Sequence, residues 1–171
     1  EEEWQNNQEE MERLRQSINP NHNWQHLYES YLPSNGGEFD LFRLYGKEIK
    51  ALRELCKKLE LLDNNLDQEV VVAETPTYLR SVRSGASYST PLTGDPSEWA
   101  CFYVSTGGPS SNSEMDLLRK QRLHREFRFL SAHETYPGHH LLDCIRRQLD
   151  NPVRRQVESP LFYEGWAYYA E

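Results

Sequence analysis

The eight residues His133-Glu134-Thr135-Tyr136-Pro137-Gly138-His139-His140 set a helix-breaking pair inside what is otherwise the mark of a metal-binding helix. A histidine followed at once by a glutamate, with a second histidine one turn later, is how a helix presents two zinc ligands and a general base. Both rings leave the same side only when the histidines stand four apart. Here His139 follows His133 by six residues, roughly 120° off face on an undisturbed helix. Pro137 withholds a backbone donor and pushes Tyr136 away from helical dihedrals, while Gly138 permits an unusual turn. A bulge or short break there would bring His139 to the place of an i+4 ligand. His140, seven residues from His133, returns to the face but roughly 10 Å further along the axis, and stands as the alternative to His139.

The segment Phe162-Tyr163-Glu164-Gly165-Trp166-Ala167-Tyr168-Tyr169-Ala170-Glu171 reads as a second helix, with Glu164, Tyr168 and Glu171 on one face at i, i+4 and i+7. A catalytic zinc takes three protein ligands and keeps one position open, and two histidines with a glutamate are a standard set. Glu164 follows His139 by 25 residues, enough for one helix to finish and another to return antiparallel. We therefore expect His133, His139 and Glu164 as zinc ligands and Glu134 as the general base. Glu171 is expected to accept a hydrogen bond from the other ring nitrogen of a ligand histidine.

Together HETYPGHH and FYEGWAYYAE resemble the bacterial family known as domain of unknown function 885, some of whose members are lipoprotein-like. At greater distance they are similar to the gluzincins, zinc metallopeptidases with a separate glutamate ligand, including the thimet oligopeptidase group. The resemblance implies His133 and His139 in the histidine places, Glu134 as base, Glu164 as third ligand and Glu171 as trailing acid. The departure is the two-residue insertion. The motifs cover about the last 40 residues, and the stretch from Glu74 to Thr106 resembles the family's segment ahead of the metal helix less specifically.

At 171 residues, 37% apolar and 12% aromatic, the chain can bury one core. A net charge of −8 argues against nucleic acid or an anionic membrane surface as partner, and no apolar run is long enough to span a bilayer. No signal peptide stands at Glu1-Glu2-Glu3, but a chain beginning there can be cut from a longer one, so the location stays open between cytoplasmic and exported in the lipoprotein-like manner. Cys56, Cys101 and Cys144 are scattered and odd in number, and read as buried free thiols.

The fold class expected is α+β and mainly α-helical, with a zincin-like metal helix pair and a small antiparallel sheet, as a single domain or a fragment of one. Its parts are a helical region 1–65, a β-rich region 66–106 and the metal-site helices 107–171. Helices are expected at 1–18, at 24–32 and at 41–62, and strands at 70–72, 87–90 and 99–105. A flexible 107–111 and an imperfect capping box at Ser113 and Asp116 lead into a helix over about 114–136, with Leu123, Phe127 and Leu130 buried. His22 with His26, and His124, read as ordinary solvated or core histidines. Tyr163, Trp166, Tyr168 and Tyr169 read as core packing. Arg146, Arg147, Arg154 and Arg155 form a basic patch of solvated or acid-paired side chains, one of which could read a substrate carboxylate.

These residues predict zinc-dependent hydrolysis of an amide, most concretely a peptide bond, with Glu134 moving a proton from water to the leaving amine. The alternative is a non-catalytic metal-binding or peptide-binding module, against which the presence of Glu134 counts. Tyr88 and Tyr103 are the available oxyanion donors. The strand at 99–105 is expected to offer a free edge to an extended peptide. The chain is also expected to be an incomplete catalytic unit that leaves apolar surface on its metal helices.

Overall fold

The computed structural model describes residues 2–30, 40–83, 85–90, 98–105 and 127–171. The expectations for 31–32, 107–111, Ser113, Asp116, Leu123 and His124 lie outside the described residues. Within them the chain is mainly helical with one small sheet, an α+β arrangement.

Helix α3 (Leu41–Lys58) is capped by Asp40, whose carboxylate accepts from the Arg43 N–H at 3.2 Å. Leu41, Tyr45, Ile49 and Cys56 recur at helical spacing and are buried. The helix stops sooner than its apolar pattern suggests. Glu60 takes a left-handed φ of 59°, and Asp63 closes a turn by accepting from the N–H groups of Asn65 and Leu66. Leu62 is buried all the same, carried inward by that loop.

α3 packs on strands β1 (Val70–Glu74), β2 (Ala86–Ser89) and β3 (Ala100–Val104), ordered β1-β3-β2. The sheet is mixed, which corrects the antiparallel expectation: β1 runs parallel to β3, pairing Val70 with Ala100, while β2 runs antiparallel, pairing Tyr88 with Phe102. Parallel pairing needs a long crossover, and the chain between β1 and β3, which includes β2, provides one. In β3 the buried residues Ala100, Phe102 and Val104 alternate with the partly exposed Cys101 and Tyr103. Phe102 meets Tyr45 at 4.9 Å between ring centroids, and Tyr45 meets Phe127 of α4 (Phe127–Glu134) at 6.3 Å. These rings join sheet, α3 and α4 in one core. Because β3 is paired on both sides, the free edge expected at 99–105 is not there; among the described residues the edges belong to β1 and β2.

Helices α1 (Glu2–Ile18) and α2 (Trp24–Ser30) follow the expected pattern but bury little. Trp4, Met11, Leu14, Ile18, Trp24 and Tyr28 stay exposed. Arg15 ties the two together, donating to the His22 carbonyl at 2.6 Å. The His22 and His26 rings lie 4.0 Å apart and join no metal-ligating group among the described residues. All three cysteines are free, Cys56 and Cys144 buried and Cys101 half-buried. No helix among the described residues is long and apolar enough to cross a membrane.

Candidate metal centre

Helix α4 stops at Glu134 and α5 (His139–Arg147) starts at His139. Between them the Tyr136–Pro137 peptide bond is cis, and Gly138 folds back over the end of α4, donating its N–H to the Ala132 carbonyl at 3.0 Å. A Cβ on Gly138 would lie 1.8 Å from the His133 carbonyl oxygen and 2.4 Å from that of Ala132. That close approach requires a glycine here. The break brings His139 round to the side of His133. After the short α6 (Pro152–Gln156), Trp166 of α7 (Pro160–Ala170) donates its indole N–H to the Pro137 carbonyl at 2.8 Å, which fixes α7 against the bend.

That placement brings Glu164 to both histidines. Its Oε2 lies 3.4 Å from His133 Nε2 and 3.7 Å from His139 Nε2, and one ligand atom from each of the three lies within 4.8 Å of the others. On the far side of His133, Nδ1 is 2.8 Å from Glu171 Oε1. An ionised carboxylate only accepts, so Nδ1 carries a proton towards Glu171, and Nε2 is the ring atom turned towards Glu164. His139 is pushed down to about 4, first by burial and then by His133, so it is neutral near pH 7. Its Nδ1 is buried with no hydrogen-bond partner among the described residues. Two imidazoles and a carboxylate converging on one point fit a divalent cation, and the set of donors suits zinc.

Glu134 sits beside this group without belonging to it. Its Oε2 accepts from the Tyr88 backbone N–H of β2 at 3.3 Å. Burial raises its carboxyl above the ordinary range, against the opposing pull of His133 and of that N–H. His140 faces the other way. The Tyr88 hydroxyl donates to its Nδ1 at 3.1 Å, and its Nε2 donates to the Gln68 carbonyl at 3.0 Å. Burial pushes it down to about 4, so the ring stays neutral with both nitrogens occupied. Of the two candidate second histidines, then, it is His139 that stands beside Glu164. The same bond commits the Tyr88 hydroxyl, which removes it as an oxyanion donor. Tyr103, paired with Ser87, lies on the opposite face of the sheet from Tyr88 and Phe102.

Several neighbours of the site were not assigned to it from the sequence. Tyr163 stacks on the His139 ring at 4.0 Å and 14°, and its hydroxyl donates to Asp143 Oδ2 at 3.1 Å. Asp143 is buried on α5, and its other oxygen accepts from Arg146, which also reaches Glu158. A carboxylate one turn after His139 was the sequence signal for this support. Arg146 is thereby paired with acids, as expected of that basic patch. The aromatic cluster is not core packing throughout. Tyr168 meets His133 edge-on at 5.0 Å yet is 68% exposed, and Tyr169 is 85% exposed; Leu161 and Phe162 of the same helix are exposed too.

No curated protein matches the chain. Among solved structures it is similar to one described as "a putative lipoprotein of unknown function" from Shewanella oneidensis, with 22% identity and a TM-score of 0.66. The alignment covers 95% of this chain and 30% of that one, so the chain spans 30% of that protein's length, and the likeness is one of fold. The profile of a family of bacterial proteins of unknown function, DUF885, matches residues 1–171. With the whole chain inside that match, the protein belongs to the DUF885 family.

Proposed function

We propose that the chain carries the catalytic centre of a zinc-dependent hydrolase, most concretely a metallopeptidase of the gluzincin kind. The observation that carries this reading is the meeting of His133, His139 and Glu164 within 4.8 Å, with Glu134 alongside and outside the group. A purely structural site has no use for that extra acid. Zinc held there supplies Lewis acidity, lowering the pKa of a water towards ~7 and polarising the scissile carbonyl. Glu134 takes the proton from water and passes it to the leaving amine. The burial that raises its carboxyl pKa makes it a better proton acceptor than an ordinary surface carboxylate. The Tyr88 N–H keeps Glu134 aimed, Glu171 fixes the tautomer and tilt of His133, and Tyr163 braces His139.

The test uses purified full-length protein, assayed for zinc and for cleavage of a peptide library. About one zinc per chain is expected. Glu134→Gln should keep that zinc and lose about 10²- to 10⁴-fold in rate, because proton transfer fails while ligation does not. Undiminished turnover in Glu134→Gln refutes the base, and cleavage by metal-free protein refutes the whole reading.

A further inference from the structure

Glu134 is not alone on the outer edge of β2. In an antiparallel strand the N–H and C=O of one residue point the same way. At Tyr88 both point outward: the N–H donates to Glu134 Oε2 at 3.3 Å, and the carbonyl accepts from Arg83 Nη1, also at 3.3 Å. A single residue of backbone therefore separates a guanidinium from the proposed general base. Arg83 is steadied there by Ser87 Oγ at 3.5 Å and by the Tyr103 ring, whose centroid lies 5.7 Å from its Cζ.

Among the described residues only one nitrogen of that guanidinium, Nη1, forms hydrogen bonds. Among the described residues Nε and Nη2 make no hydrogen bond, and no carboxylate pairs with Arg83. Arg15, Arg53, Arg80 and Arg146 each meet a carboxylate at 2.8 Å or less. Arg83, like Arg43, Arg147, Arg154 and Arg155, has no ion pair among the described residues, and of these it is the one held next to Glu134. A planar fork of donors left open beside a base matches the geometry of a carboxylate.

We propose that Arg83 binds a carboxylate of the substrate and so determines specificity at this site, a proposal that rests on the hydrolase reading. The preferred substrates are then peptides with a carboxylate close to the scissile bond. A C-terminus and an acidic side chain present the same anion, and the experiment tells them apart.

Affinity is measured by calorimetry on full-length, zinc-loaded Glu134→Gln protein, so that cleavage does not intrude. The probes are acetyl-trialanine as the free acid, acetyl-trialanine amide, and acetyl-Ala-Glu-Ala amide. At least one carboxylate-bearing peptide should bind about tenfold more tightly than the uncharged amide. Preference for the free acid assigns the terminus, and preference for the glutamate peptide assigns the side chain. Arg83→Met should erase the preference. Arg83→Lys keeps a charge and a donor for the Tyr88 carbonyl but lacks the fork, and should fall between. Equal affinity for all three peptides, binding of none, or a preference that survives Arg83→Met overturns the proposal. An Arg83-dependent preference in a protein whose wild type cleaves no peptide would sink the hydrolase and leave this carboxylate site standing. A wild type that cleaves acid and amide peptides alike would do the reverse.

Discussion

Helices α1 and α5 are built on opposite plans. α1 has 17 residues and none is buried; α5 has nine, of which five are buried: His139, His140, Leu141, Asp143 and Cys144. α1 is held from within, by pairs one turn apart such as Arg13 with Glu10 and Arg15 with Glu12, an exposed kind of pairing that salt screens. α5 is held from outside. Tyr88 and Gln68 grip His140, Tyr163 grips Asp143, and Leu141 enters the core. Burying a polar group costs free energy unless a partner meets it. A short helix that buries two histidines and an aspartate therefore needs other elements to place it. Charge pattern and length mark a helix that can form by itself, whereas polar residues on a buried face mark one that is held for its chemistry.

The largest effects should come from the two neighbouring histidines of α5, changed one at a time. His139→Ala should abolish zinc binding and leave the metal-free protein folded, and His133→Ala and Glu164→Ala should do likewise. His140→Ala should keep zinc stoichiometric. It should instead cost about 2–4 kcal/mol of stability, since the Tyr88 hydroxyl and the Gln68 carbonyl lose a buried partner and a cavity opens. Metal analysis beside denaturant titration separates the two outcomes. Loss of zinc from folded His140→Ala would show that the two faces of α5 do not act separately.

Next in size is the bend that feeds α5. Gly138→Ala must move the backbone at His133, because the new Cβ would meet carbonyl oxygens at 1.8 and 2.4 Å. A loss of about 3 kcal/mol or more is expected, with weaker zinc binding, because His133 and His139 are both displaced. Gly165, in the middle of α7, has nothing within 4 Å of an added Cβ. Gly165→Ala should therefore stabilise by about 0.5–1 kcal/mol through helix propensity alone. Thermal melts of the two variants should move in opposite directions; a harmless Gly138→Ala would mean that the close approach does not persist in solution.

Much of the site was legible because its residues are tied by local spacing. His133, Glu134 and the kink sit in one octet, and the seven residues from Glu164 to Glu171 put the two acids on one face of α7, where each meets His133. What the sequence could not say depends on non-local pairing. The choice between His139 and His140 turns on where α5 lands, since each begins its own i, i+4 pair, His139 with Asp143 and His140 with Cys144. The parallel pairing of β1 with β3 is set by a crossover that no run of β-branched residues encodes. Arg83 drew no notice because its meaning lies in Tyr88, a neighbour only once β2 forms an edge. The exposed Trp4 and Leu161 show the converse: an apolar stripe reveals a helical face without saying whether anything covers it.

The smallest expected effect tests that last point with one substitution made twice. Leu141 on α5 is 3% exposed and joins the core beside Tyr136, whereas Leu14 on α1 is 47% exposed. Leu141→Ala removes a packed side chain and leaves a hole, for which about 2–5 kcal/mol is the usual loss. Leu14→Ala removes a side chain already half in water and keeps a strong helix former, so its effect should stay within about 0.5 kcal/mol. Zinc binding should be untouched by Leu14→Ala, since α1 supplies no atom to the site. Denaturant titration of the two variants in the full-length protein gives the comparison directly. A loss at Leu14 approaching that at Leu141 would mean the α1 stripe is covered in solution, and that α1, like α5, is held by something other than itself.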